Sequence, residues 1–467
     1  MIEMRLADIA AVTGGQLRHA TGDERITSVE FDSRATGPGA LYLTLPGARV
    51  DGHDFADAAV AAGASAVLTA RELDLPSVVV PAAARATGTY LDDVDPDGSG
   101  AAVLAALAKL AVHVLGALPD LTLVGITGSS GKTSTKDLIG AVLAPLGPMV
   151  APPGSFNTEL GLPWTALRAD RDTRHLVLEY SARNVGHIAA LARIARPRIS
   201  VVINVGSAHI GEFGSIEGIA LAKGELVEAL PAAGVAVLNG DDANVVAMAG
   251  RTAARKVFYG LGPDADVRAT DVVLDAGRPR FTLVTPAGSA EVALQLVGEH
   301  HVGNALAAAA VGLECGASPE AVAAALSGAT AASKWRMEVT ERADGVTVIN
   351  DAYNANPDSM RAALRALAAV GEGRRTWAVL GPMGELGGET VPAHRGIAET
   401  ARSLGAEVLA VGAPDYPAQR SVPDVESAVV MLEAELAPGD VVLVKGSRAA
   451  DLQRVAQRLL AEAPAAT

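Results

Sequence analysis

The sequence predicts an α/β protein of three sections, built mainly on parallel sheets covered by helices. Three observations predict it. From Leu121 onward, short apolar runs alternate with helical stretches, the mark of a parallel sheet covered on both faces. The same rhythm restarts after about Ser333 as a second, smaller unit. The length of 467 residues suits about three domains, at ~100–200 residues each. A hydrophobic share of 49% against 19% charged residues allows several buried cores and argues against disorder. Aromatic residues are only 3%, so those cores must be built from Ala, Val, Leu and Ile.

The first section spans 1–118. Its short apolar runs, Ala40 to Leu45, Ala66 to Thr69 and Ser77 to Val80, sit among Gly and Pro turns, and Phe55 to Ala62 reads as helix. The polar stretch from Asp92 to Gly100 reads as a loop before an Ala-rich helix, Ala101 to Leu118. That helix is the most membrane-like run of the chain. Lys109 and His113 interrupt it and Pro119 follows it, so it reads as a packed soluble helix. The second section, 119–332, offers strands at Leu121–Ile126, Leu176–Leu178, Ile199–Ile203 and Val235–Leu238. Short alternating runs between Val267 and Val297 suggest an antiparallel annex to it. The third section, 333–467, reads as Val346–Ile349, Met360–Val370, Thr376–Leu380, His394–Leu404, Val408–Val411, Val441–Val444 and a closing helix from Ala449.

Charge narrows the function classes. A formal net charge of −15 opposes non-specific binding to nucleic acid or an anionic membrane, although a local basic site can still hold an anionic substrate. The lone Cys315 excludes an intrachain disulfide and fits a reducing compartment. The N-terminus carries acidic residues where a secretory signal needs a basic region and a long apolar core. The expectation is a cytoplasmic globular protein.

The strongest chemical signal is Leu121-Thr-Leu-Val-Gly-Ile-Thr-Gly-Ser-Ser-Gly-Lys-Thr-Ser-Thr135. A strand runs into a Gly-rich loop and a helix begins near Lys132, so loop N–H groups and the helix N-terminus can surround a polyphosphate. Gly128, Ser129, Ser130, Gly131 and Ser134 form this cradle. Lys132 would reach the β- and γ-phosphates and Thr133 would place its hydroxyl on Mg²⁺. The strict spacing asks for Gly at 126, where this chain has Ile126, so the loop is a variant with glycines at 125, 128 and 131.

Other polar residues follow apolar strands of the same section. Glu179, Asn204 and His209 would emerge at the carboxyl edge of a parallel sheet, where the phosphate loop also lies. There they are Mg²⁺ ligands or positioning groups; alternatively, Glu179 is a salt-bridge partner and His209 a satisfied polar residue. Lys223 shares a helical face with Ile216, Ile219, Leu226 and Leu230, so it points to the core side. It either snorkels to the surface or stays buried as a neutral amine, which can add CO₂ to form a carbamate. Asn304, near the start of an Ala-rich helix, could read an adenine edge; Arg336 could meet phosphate, and Asp351 could hold a ribose hydroxyl. Taken singly, each of these three clusters reads first as a turn or a cap.

In their order along the chain, these clusters resemble the Mur ligases, the ATP-dependent amide-bond enzymes of peptidoglycan precursor synthesis. Val29-Glu-Phe-Asp-Ser-Arg34, Gly39-Ala-Leu-Tyr-Leu43 and Gly47-Ala-Arg-Val-Asp-Gly-His-Asp54 resemble the family's UDP-sugar domain. Asn350-Asp-Ala-Tyr-Asn-Ala-Asn-Pro357, Gly384-Glu-Leu-Gly387 and Val444-Lys-Gly-Ser-Arg448 resemble the D-alanyl-D-alanine-adding type in particular. The resemblance covers essentially the whole chain. It implies a UDP-substrate domain, a central P-loop ATPase and a Rossmann-like carboxyl-terminal domain, in a monomer.

It further implies that Lys132 and Thr133 hold ATP and magnesium, that Glu179 and His209 help bind a second Mg²⁺, and that Lys223 is carbamylated. Asn304, Arg336 and Asp351 match adenine, phosphate and ribose contacts. Ser33, Arg34, Asn157, Thr158 and Ser181 fall where a UDP-N-acetylmuramoyl-tripeptide is contacted. The chain departs from the family at His301, which often is Asn, at Pro382, which replaces an acidic residue, and at Tyr180, bulkier than usual after the carboxylate. The competing expectations are a diaminopimelate- or lysine-adding relative, a folylpolyglutamate synthase, or a P-loop module that only binds nucleotide.

Overall fold

The computed structural model describes residues 1–83, 89, 91–92, 94–208 and 210–461. They divide into two compact units, one of Met1–Gly125 with Gly147–Ile199, the other of Ile126–Leu146 with Ser200–Thr467. The strand Thr122–Thr127 therefore begins in the first unit and ends in the second.

The first unit holds a five-stranded sheet ordered Gln16–Arg18, Ser77–Val79, Ala66–Thr69, Ala40–Leu43, Ser28–Glu30. The last four run parallel and Gln16–Arg18 is antiparallel. Ala40–Leu43 and Ala66–Thr69 are buried at every position, as expected of parallel strands covered on both faces. The Ala-rich helix is Ser99–Gly116, two residues earlier at each end than its sequence suggests. Both carboxylate oxygens of Asp95 explain the early start, accepting the Gly100 and Ala101 N–H groups at 2.9 and 2.8 Å. By length and composition this helix could cross a membrane, but most of it is buried in the protein, with Val103, Leu107, Leu110 and Val114 inward. The unit also holds His175–Glu179, buried throughout and paired in parallel with Met149–Val150, and a two-stranded antiparallel sheet of Met4–Arg5 and Arg25–Ile26.

In the second unit, strand order runs Thr122–Thr127, Ile199–Val202, Val235–Asn239, Arg255–Gly260, Val267–Asp275, Arg278–Thr285, Gly288–Ala293. The last two pair antiparallel, so the expected annex is present. It continues the main sheet, because Tyr259 and Gly260 pair in parallel with Val267 and Arg268. Helix His301–Glu314 lies on this sheet and packs closely against helix Lys132–Leu143. A Cβ at Gly312 would lie 2.2 Å from Val142, and Ala305 to Ala310 are wholly buried.

A further sheet of the same unit is ordered Glu338–Glu341, Thr347–Asn350, Val441–Lys445, Thr376–Leu380, Glu407–Val411, Arg420–Val422. All but the first are parallel, and separate apolar cores cover its two faces. The last strand of the chain inserts between the first two parallel strands, and ligand crevices in open α/β sheets form at such a reversal of strand order. Helix Pro357–Val370 starts three residues before the expected Met360. Asn356 and Ser359 form a reciprocal cap there and Pro357 fills the first helical position. The closing helix is Gln453–Ala461, because 448–450 form a short 3₁₀ turn first.

Candidate active site

The second unit contains the phosphate loop. Gly131 caps helix Lys132–Leu143 with φ +85°, and a Cβ there would lie 2.9 Å from Asn304 Oδ1. Conformation and space both require glycine. Lys132 Nζ donates to the Gly128 carbonyl at 2.6 Å, folding back over its own loop. Ser129 and Ser130 donate their N–H groups to Asn204 Oδ1 at 2.9 and 3.0 Å, and Asn204 Nδ2 returns a bond to Ser130 O at 3.2 Å. Asn204 is thus a brace for the loop. Thr133 is buried and Ser134 half-buried in the helix's first turn. There the helix dipole favours anions.

Arg336 reaches this loop from the chain that leads into the last sheet, its Nη2 lying 3.4 Å from Thr133 Oγ1. Its guanidinium also stacks 4.2 Å over the Tyr353 ring. Trp335 and Met337, on either side, adopt left-handed φ of +59° and +51°, a strained backbone for residues with side chains. Three bonds hold the turn: Trp335 N–H to Glu338 Oε1 at 2.8 Å, Met337 N–H to Asp351 Oδ1 at 3.2 Å and Tyr353 N–H to Trp335 O at 3.3 Å. Asp351 is held in turn by the buried Lys445, whose Nζ donates to Oδ2 at 2.6 Å. Burial lowers the Lys445 pKa while Asp351 opposes the shift. Asn304, 4% exposed, abuts Gly131, and its Nδ2 lies 3.4 Å from His301 Nδ1.

Lys223 does not snorkel. It is 5% exposed in helix Ile216–Glu228 and has no hydrogen-bond partner among the described residues. Burial, assisted by the positive charge of Lys132, holds its pKa well below the ordinary lysine value. Arg251 fixes the surrounding helical turn by donating to the Ala220 and Leu221 carbonyls at 3.2 and 2.9 Å. His209 lies outside the described residues.

In the first unit, Glu179 ends its strand fully buried, and its Oε1 has no hydrogen-bond partner among the described residues. Its Oε2 accepts from Asn157 Nδ2 at 3.3 Å, and Ser181 N–H donates to Asn157 O at 3.1 Å, so three expected residues meet. A buried carboxylate oxygen left unsatisfied is the chemistry a cation would complete. Among the described residues, no three His, Cys, Asp or Glu side chains form a preassembled metal site. Thr158 is half-buried in the same loop. Phe156 of that loop packs against Phe31 and Trp164, with ring centroids 6.0 and 4.9 Å away, which sets the loop beside the Ser33–Ala35 turn. Arg34 is exposed and pairs with Asp32 at 2.7 Å. Tyr180 is fully buried with its hydroxyl donating to Ala195 O, so its bulk goes into the core.

Sequence reasoning gave no role to Asp358. Its Oδ2 accepts from Ser207 N–H at 2.9 Å, and Gly206 beside it exchanges bonds with Ser129 of the phosphate loop. An acidic residue in the first turn of a helix reads as helix-stabilising, which hid this link.

A phosphate loop with a basic partner arm, on largely parallel sheets covered by helices, defines a nucleotide-binding α/β protein. Comparisons sharpen this. Family models match residues 25–111 (Mur ligase family, catalytic domain), 126–312 (Mur ligase middle domain) and 335–448 (Mur ligase, glutamate ligase domain). The UDP-N-acetylmuramoyl-tripeptide--D-alanyl-D-alanine ligase of Mycobacterium bovis is 54% identical, over 99% of this chain and 98% of its own. The protein of that name from Escherichia coli is 34% identical over 98% and 99%. MurF from Acinetobacter baumannii superposes with TM-score 0.83 at 28% identity, over 98% of this chain and 99% of its own. MurF from Thermotoga maritima in complex with ADP gives 0.77 at 28%, over 93% and 97%. The chain belongs to the Mur ligase family, in its MurF branch, and has that family's three-domain α/β fold.

Proposed function

We propose that this chain joins D-alanyl-D-alanine to a UDP-N-acetylmuramoyl-tripeptide at the expense of ATP, giving the pentapeptide, ADP and phosphate. The observation that carries the reading is Arg336 meeting Thr133, which sets a cation from the approach to the last sheet against the phosphate loop. Full-length similarity to ligases of that name supports the substrates, and a relative with bound ADP supports the nucleotide.

A carboxylate does not react with an amine at neutral pH until it gains a leaving group. The tripeptide's terminal carboxylate attacks the γ-phosphorus of ATP, forming an acyl phosphate as the bond to ADP breaks. The dipeptide's free amine then attacks the acyl carbon; phosphate leaves and the nitrogen gives up a proton. Lys132, the loop N–H groups and Arg336 stabilise charge on the transferring group. Gly128 to Ser134 cradle the phosphates, while Asn304 and Asp351 orient adenine and ribose. Ser33, Arg34, Asn157, Thr158 and Ser181 bind the UDP-muramoyl peptide.

Thr133, Glu179, His209 and Lys223, the last as a carbamate, are the residues that would hold two Mg²⁺ ions. These would supply charge neutralisation at the phosphates. The buried Glu179 Oε1, without a hydrogen-bond partner among the described residues, and the amine-favouring burial of Lys223 support this set. Domain boundaries near 118 and 332, a monomeric state and a cytoplasmic location complete the reading.

The test is phosphate release from ATP and Mg²⁺ with D-alanyl-D-alanine and, in turn, the diaminopimelate- and lysine-containing UDP-muramoyl tripeptides. Release that requires both the dipeptide and one tripeptide is expected. Release with a UDP-muramoyl dipeptide and a free diamino acid would move the chain to another branch, and no release with any pair would leave only nucleotide binding.

A further inference from the structure

The proposed reaction needs a hold on an acceptor that carries a free carboxylate at one end and the attacking amine at the other. Where strand order reverses in the last sheet, the loops after Asn350, Leu380 and Lys445 leave the carboxyl edge together, the position where such folds take ligands. Three cations stand there, and two are engaged. Lys445 is buried against Asp351 at 2.6 Å, and Arg336 is turned to Thr133 and stacked on Tyr353. Arg448 is different: it is exposed and makes no ion pair among the described residues. Its guanidinium lies 4.2 Å over the Trp335 ring.

The stack makes Arg448 more than a loose surface charge. A guanidinium held over a ring by its face can keep its N–H groups for other partners, the fork that matches a carboxylate with two parallel hydrogen bonds. The backbone beneath is fixed. Ser447 N–H donates to Pro382 O at 2.9 Å, and at Gly446 a Cβ would lie 3.2 Å from Gly381 Cα, so the two loops touch directly. Trp335 in turn sits next to Arg336, which ties this fork to the phosphate loop through adjacent residues.

We infer that Arg448, held against Trp335, binds the terminal carboxylate of the incoming dipeptide and so orients its amine. The inference rests on the ligase reading above. Its test compares D-alanyl-D-alanine with D-alanyl-D-alaninamide, which keeps the amine and lacks the charge, at saturating ATP, Mg²⁺ and tripeptide. The unmodified enzyme should favour the acid by about tenfold or more in kcat/KM. Arg448→Met should lose that preference by slowing the acid alone, with the KM for ATP unchanged; Arg448→Lys should keep part of it. Should Arg448→Met fold poorly, Arg448→Lys and Arg448→Gln carry the same comparison.

An unmodified enzyme that uses the amide as well as the acid overturns the assignment, as does a Met variant that keeps the preference. A loss that appears in the KM for ATP assigns Arg448 to the nucleotide and overturns it too. Absence of any release by the unmodified enzyme overturns the ligase reading itself, a result distinct from intact turnover with an unaltered preference.

Discussion

Two buried bases define the residue scale. Lys223 is a buried amine with no anionic partner among the described residues, and both burial and the charge of Lys132 oppose its protonation. Such a site costs stability unless the charge is relieved, and apolar replacements of buried charge are often neutral or stabilising. Lys223→Met should therefore raise the urea midpoint, by about 1 kcal/mol or more in free energy, while phosphate release falls by orders of magnitude. A lowered midpoint with retained turnover would contradict both halves. His301 is 2% exposed, and burial holds its pKa well below the ordinary value; the neighbouring His300, its ring centroid 4.2 Å away, is pushed down to about 4. Both are neutral in the folded chain at pH values where the unfolded chain binds their protons. Stability is thus fully present above about pH 6.5 and falls as pH drops from there toward 4, because the unfolded state gains protons first. His301→Asn should flatten that fall in urea titrations across this window.

At the scale of elements, the link between the phosphate loop and helix Pro357–Val370 makes a specific claim. Asp358→Ala removes the acceptor of Ser207 N–H, and Gly206 next to it is bonded to Ser129. We expect the KM for ATP to rise about three- to tenfold, equal to ~0.7–1.4 kcal/mol, with kcat much less affected; steady-state kinetics decides it. The elements also show what the sequence made legible. Helix Lys132–Leu143 and strand Thr376–Leu380 begin where apolar periodicity and the Gly-rich loop place them. Strand Arg255–Gly260 escaped because two cations open it and its pairing, not its apolarity, makes it a strand. The short Glu338–Glu341 escaped as an edge strand flanked by charge. Phosphate-loop residues were readable because local spacing dictates them. Asp358, Lys445 and the bracing role of Asn204 were not, because each acts across residues far apart in sequence.

On the scale of the whole molecule, the phosphate loop, Asn304, Arg336 and Asp351 all belong to one compact unit, and Ser33, Arg34, Asn157, Glu179 and Ser181 to the other. A ligand stabilises the part of a protein it binds, by about 2.7 kcal/mol at a concentration of 100 Kd. ADP with Mg²⁺ should therefore slow proteolysis of peptides from Ser200–Thr467 more than of peptides from Met1–Gly125, a contrast read directly by limited digestion and mass spectrometry. Uniform protection along the chain would contradict it. The stacked turn around Arg336 has one more consequence. The chain has three tryptophans; Trp164 and Trp377 are 8% and 0% exposed, locked in cores, and only Trp335 is half-buried, between Arg448 and the Tyr353 ring. On the proposed reading its indole lies beside the groups that meet nucleotide and acceptor, which would make it a built-in optical reporter. A change in its ultraviolet emission on adding either ligand, absent from Trp335→Phe, would let each binding step be timed without any attached dye.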